Sequence, residues 1–130
     1  MLSKLFISTM SAAILAGCSV ETFTYTMDRY GEVRGRQVRL GCRDTYEAFD
    51  RPEARSLLVV TNGVNEALAS SCSSPARAER MRRVAEIYLA ETSARPECQV
   101  VRARALTEFH TEFSYRCEGR QSQSGRRSRS

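Results

Sequence analysis

Apolar and polar positions change period several times along this chain, and each change marks an element. Leu5 to Ala16 is apolar apart from Ser8, Thr9 and Ser11, and carries no charge. From Glu21 to Met27 the pattern becomes strict alternation, with Thr22, Thr24 and Thr26 set against Phe23, Tyr25 and Met27. Period-two alternation of β-branched and aromatic residues predicts a half-buried strand. A turn bracketed by Gly31 and Gly35 leads to a second strand, where Val38, Leu40 and Cys42 alternate with Gln37, Arg39 and Gly41. Thr45 to Phe49 reads as a short strand and Asp50 to Glu53 as a turn built on Asp and Pro. Arg55 to Thr61 carries the unbroken run Leu57, Leu58, Val59, Val60, which predicts a strand covered on both faces. The stretch from Val38 to Thr61 thus predicts an antiparallel meander.

After Asn62-Gly63 the period lengthens. Val64, Ala67 and Leu68 predict a short helix running toward Cys72. Ser74 and Pro75 then look like the N-cap and first position of a longer helix. Met81, Val84, Ala85, Tyr88 and Leu89 form its apolar stripe, and Pro96 bounds it. Arg77, Arg80, Arg82 and Arg83 lie on the same helix. They could form an anion-binding face. The i, i+4 pairs Glu79–Arg83 and Arg82–Glu86 favour a solvated one, although cations near a helix N-terminus oppose the dipole. Cys98–Ala105 and Phe109–Cys117 read as the two strands of a hairpin. The second puts Phe109, Phe113, Tyr115 and Cys117 on one face and His110, Glu112, Ser114 and Arg116 on the other. The whole pattern predicts an α+β fold: an antiparallel sheet of about five to six strands with one or two helices packed on one face, stapled by disulfides.

The N-terminal run has a second meaning. Lys4, a short apolar core and small residues before a cut site are the marks of a signal peptide, and the run is shorter than the roughly 20 residues a spanning helix needs. Its end, Leu15-Ala16-Gly17-Cys18, resembles the lipobox of bacterial lipoproteins. The resemblance covers about the first nineteen residues, and every position fits. It implies that residues 1–17 are removed as a lipoprotein signal peptide and that the Cys18 thiol carries diacylglyceryl. In many members of the family the new amine is acylated as well. Ser19 implies transfer to the outer membrane, facing the periplasm. Lipid burial contributes about 0.8 kcal/mol per methylene, and two chains hold a protein stably where one does not. With a strand starting at Glu21, the folded domain of residues 18–118 would sit close to the membrane on a short tether.

Four further cysteines remain: Cys42, Cys72, Cys98 and Cys117. An even number in an exported chain predicts disulfides. Three pairings are open. A symmetric hairpin centred on Thr107-Glu108 sets Cys98 opposite Cys117, leaving Cys42 with Cys72. That register also sets Arg102 opposite Phe113, whereas a one-residue slip would bring Val101 and Ala103 to the aromatic face and break the cysteine alignment. Gaps of 30, 26 and 19 residues do not match zinc-ligand spacing, so no metal is expected.

Charge changes the picture less than it first suggests. The chain is +5 overall with a pI of about 9.2. Lys4 is the only lysine, so beyond Cys18 the cations are 19 arginines against 15 acids. Arg120, Arg126, Arg127 and Arg129 lie in the low-complexity end, and the 15 arginines before them balance the 15 acids. The basic character belongs to residues 119–130, which lack apolar side chains and are expected to be disordered. A nucleic-acid-binding domain is therefore not expected. The tail arginines could dock on anionic envelope phosphates.

The only histidine, His110, shares a polar face with Glu112 on a predicted edge hairpin. Such a pair can do acid–base work, but no nucleophile elbow or phosphate loop accompanies it. No catalytic residue and no cofactor are assigned. The expectation is a small non-enzymatic envelope lipoprotein, anchored through lipidated Cys18 and contacting another envelope component, with a protein partner as one option. The alternative is an inhibitor or immunity-type lipoprotein against a lysozyme-like enzyme, similar in size and location only.

Overall fold

A computed structural model of the chain describes residues 11–92 and 97–118, with side chains from residue 20 onward. The elements in order are helix α1 (Ser11–Tyr30), strands β1 (Arg36–Arg39) and β2 (Thr45–Arg51), a 3-10 turn (Pro52–Ala54), strand β3 (Ser56–Val60), helices α2 (Gly63–Ser70) and α3 (Arg77–Glu91), and strands β4 (Cys98–Ala105) and β5 (His110–Cys117). The chain forms two compact units that divide between Glu32 and Val33. The second holds a five-stranded antiparallel sheet of order β1-β2-β3-β5-β4, so the fold is α+β as the pattern predicts.

The sheet's inner face is set by alternation. Val38, Tyr46, Ala48, Leu57, Val59, Phe113 and Tyr115 point to one side and are buried. Against them α3 lays the stripe Met81, Val84, Ala85, Tyr88 and Leu89, all buried in the same cluster. Burying one such side chain contributes about 1.5–3 kcal/mol, so this layer supplies most of the unit's cohesion. Leu57, Leu58 and Val59 are each almost fully buried, so β3 is covered on both faces. On the outer face Leu58 lies opposite Phe49. Gly35 passes so close to the Phe49 ring that a Cβ there would lie 2.7 Å from Cε1, so any larger residue must push the ring aside. At one end of the core the Tyr88 and Tyr115 hydroxyls both donate to Asp50, at 3.1 and 2.7 Å.

The β4–β5 hairpin reconciles the two registers that the pattern left in conflict. Cys98 lies opposite Cys117 and Val100 opposite Tyr115, but the next pair is Arg102 with Ser114. Val101 is an extra residue, and this bulge lets Ala103 face Phe113 while the cysteines stay aligned. The structure pairs Cys98 with Cys117 and Cys42 with Cys72, with Cα separations of 4.0 and 6.2 Å. The hairpin lies at the edge of the sheet, and within it β5, which carries His110, is the inner strand between β3 and β4. Strand β4 forms the edge, carrying the exposed Arg102 and Arg104, charges of the kind that guard an edge against unwanted pairing.

Three expectations are corrected. Residues 21–27 are helical within α1 rather than a strand. The Ala- and Leu-containing segment before them starts a helix, and once nucleation is met, extension through the threonines is cheap. Thr26 joins it by donating its hydroxyl to the Thr22 carbonyl at 2.8 Å. The first strand therefore starts only at Arg36, and the short extended tether beyond Cys18 is not present. The strand through Val38 ends at Arg39, short of Leu40 and Cys42, because Asp44 draws the Gly41 and Cys42 amides into a turn at 3.2 and 2.8 Å. Helix α3 begins at Arg77 with no side-chain cap rather than at Ser74-Pro75. The Pro75 carbonyl is taken by the Arg80 guanidinium at 2.9 Å instead of by a backbone amide.

Candidate functional site

Charged residues seldom lie fully inside a small domain unless they are paired. Here Arg80 and Glu66 do, at 6% and 8% exposure. Residue 80 adjoins Met81 on the buried side of α3, and Glu66 faces it from the first turn of α2. The guanidinium grips the carboxylate with two bonds of 2.8 Å. Its Nη1 also donates to the Tyr46 hydroxyl at 2.6 Å, which donates in turn to Asp44 at 2.9 Å. Arg77 adds a bond of 2.5 Å to Glu66 from the half-exposed side.

The network continues to the sheet's end. The Thr61 hydroxyl donates to Glu66 at 3.0 Å and accepts from Asn65 Nδ2 at 2.9 Å. Asn65 Oδ1 accepts the Thr45 amide at 2.7 Å. Asn62 caps α2 by accepting the Asn65 amide at 2.9 Å. One connected set of hydrogen bonds thus ties β2, β3, α2 and α3 together.

The electrostatics follow from these contacts. The Arg80 hydrogen bonds pull the Glu66 carboxyl down to about 2, overcoming burial, with Arg77 and Thr61 adding to the effect. Glu66 in turn holds the Arg80 guanidinium even more firmly charged. Burial pushes the Tyr46 phenol up to about 12. Burial alone would raise Asp44, but the bonds from Tyr46, Cys42 and Gly41 together leave it below the usual carboxylate range. Each group therefore keeps one protonation state near neutral pH, which suits a brace better than a proton-transfer centre.

Beside this brace lies an open cleft of about 630 Å³, within the usual range for small-ligand sites. Its floor is Thr45, Thr61 and Asn65, all held by the network. Val60, Val64 and Leu68 form an aliphatic wall. Asn62, Gln37, Arg43 and Glu47 complete the rim. Arg43 has a left-handed backbone (φ 61°), uncommon outside glycine. The Asp44 turn and the Cys42–Cys72 disulfide hold it there.

The residues singled out by sequence fall in different places. Cys42 staples the cleft's loop to Cys72 just beyond α2, and Cys98–Cys117 closes the base of the hairpin. Cys18 lies on the backbone of α1. Residues 1–10 and the arginines 120, 126, 127 and 129 lie outside the described residues. On α3, Arg82–Glu86 and Arg83–Glu79 pair as expected at 3.2 and 3.1 Å. Arg80 leaves that set for the interior, and Arg77 turns to Glu66. His110 is half-buried beside Thr107, with Nδ1 2.7 Å from its hydroxyl, and burial lowers its pKa. Glu112 instead bonds Arg104 at 3.2 Å. Sequence reasoning missed Asp44, Tyr46, Asn65 and Glu66. The one available signal was Arg80 itself, one position from Met81 at the margin of the apolar stripe.

Among the described residues no group of three His, Cys, Asp or Glu gathers as metal ligands, and no helix is long and apolar enough to cross a membrane. Comparison with protein-family models, curated proteins and solved structures finds no match.

Proposed function

We propose that this protein is a small cell-envelope lipoprotein, anchored through lipid on Cys18 in the outer membrane facing the periplasm, that acts by contacting another envelope component rather than by catalysis. The observation that carries the reading is Leu15-Ala16-Gly17-Cys18 at the end of a charged start and an uncharged apolar run. Two disulfides within one small folded unit support it, because such bonds persist in oxidising compartments. The buried network supports the non-catalytic part, since its groups are bonded to one another and locked in single charge states. On this reading residues 19–30, where helical at 1.5 Å per residue, supply a spacer of roughly 18 Å beyond the lipid. The Arg120, Arg126, Arg127 and Arg129 tail adds attraction to anionic envelope phosphates, about 1 kcal/mol per arginine near the surface.

Intact mass of the protein from a bacterial membrane fraction tests this. The expected species is residues 18–130 plus diacylglyceryl or triacyl lipid, and Cys18→Ser should abolish both cleavage and lipid. A full-length, unlipidated chain in the soluble fraction would overturn the proposal.

A further inference from the structure

We propose that the cleft beside α2 binds a short zwitterionic peptide, with Arg43 taking a carboxylate and Glu47 an ammonium. This goes beyond the envelope reading and does not rest on it. The first support is charge. Arg43 and Glu47 are exposed on the cleft's rim, and neither has an ion pair or side-chain hydrogen bond among the described residues. Groups of opposite sign on one small cleft suit a ligand that carries both charges. A phosphate-rich ligand would meet the Glu47 carboxylate, and a glycan would find no aromatic face to stack on.

The second support is spacing. Thr45 and Glu47 follow one another on the outer side of β2, and Arg43 precedes them in the turn. At about 3.3 Å per residue, Arg43 and Glu47 are at most ~13 Å apart along the chain. The ends of a peptide of three residues, about 3.3–3.6 Å each, fall within that bound.

The third support is what lies between the charges. Val64 is 75% and Leu68 41% exposed, an aliphatic wall suited to small apolar side chains. Gln37, directly opposite Glu47 in the β1–β2 ladder, offers both an amide donor and an acceptor for a peptide backbone. The floor is already ordered by the Thr61–Asn65–Thr45 bonds, so binding need not freeze it. The left-handed turn at Arg43 fits the same account, since non-glycine residues held in sparse backbone regions concentrate at functional sites.

The test is calorimetric titration of the full chain in detergent micelles with trialanine, N-acetyl-trialanine and trialanine amide. Trialanine should bind, and blocking either terminus should weaken it about fivefold or more. Arg43→Gln should remove the preference for the free carboxylate but keep that for the free amine. Glu47→Gln should do the reverse. Both residues are exposed, so both variants should fold, which circular dichroism checks. Absence of binding up to about 10 mM, equal binding of all three probes, or discrimination of only one terminus would overturn the proposal. Cys18→Ser should leave these affinities unchanged, so failure of the anchor and failure of the cleft are distinguishable.

Discussion

Arg80→Met removes the centre of the buried network while keeping most of the side chain's length. Four bonds go with it: two to Glu66, one to the Tyr46 hydroxyl and one to the Pro75 carbonyl. Arg77 stays with Glu66 from a position 38% exposed, where solvent weakens its hold. A buried carboxylate stripped of its main partner typically costs about 3–5 kcal/mol. That is a large share of the 5–15 kcal/mol that holds a typical domain together. Replacing both members, Glu66→Met with Arg80→Met, leaves no orphaned charge and should recover much of that loss. A double-mutant cycle in urea, with disulfides intact, should then give a coupling of about 2 kcal/mol or more. Should Arg80→Met cost under about 1 kcal/mol, or the double variant cost the full sum of the singles, the brace is not structural and the reasoning fails. The acid limb gives an independent readout. Loss of Arg80 removes the largest cause of the low Glu66 pKa, so the variant's carboxyl should take up its proton at higher pH than in the parent chain.

In the parent, Glu66 falls from its ordinary 4.5 to about 2 on folding, so its contribution is present above pH 4.5. It is lost as the pH falls from there through about 2, amounting to about 3 kcal/mol, which urea midpoints across that range should register; a flat profile counts against it. Deleting Val101 removes only the bulged residue, so the ladder should become regular with Cys98 still opposite Cys117; free thiols in that variant would contradict the register. Loops of 30 and 19 residues make each disulfide worth about 3–4 kcal/mol in the chain-entropy account. Thermal unfolding of Cys42→Ala/Cys72→Ala and Cys98→Ala/Cys117→Ala checks this, and only the first pair should also weaken trialanine binding, because Cys42 adjoins Arg43.

Much of this fold is legible along the chain because periodicity is local. The unbroken run at Leu57–Val60, the stripe from Met81 to Leu89 and the alternation through Phe113 and Tyr115 each state their own element and buried face. The resemblance of Leu15-Ala16-Gly17-Cys18 to a lipobox is legible for the same reason, since it lies in four consecutive residues. Tertiary structure decided what depends on partners far along the chain. The place of Arg80 at the margin of the apolar stripe hints at burial, but only Glu66, brought in on another helix, makes that burial tolerable. The alternation at Glu21–Met27 suits a strand, yet the helix that precedes it carries through, because extending an existing helix costs less than starting a new element. Both hairpin registers satisfied part of the pattern, and a single extra residue, Val101, met the demands of the cysteine pair and the aromatic face at once. The cleft was invisible in the sequence, since its rim, wall and floor come from separate segments that meet only when the buried network draws them together.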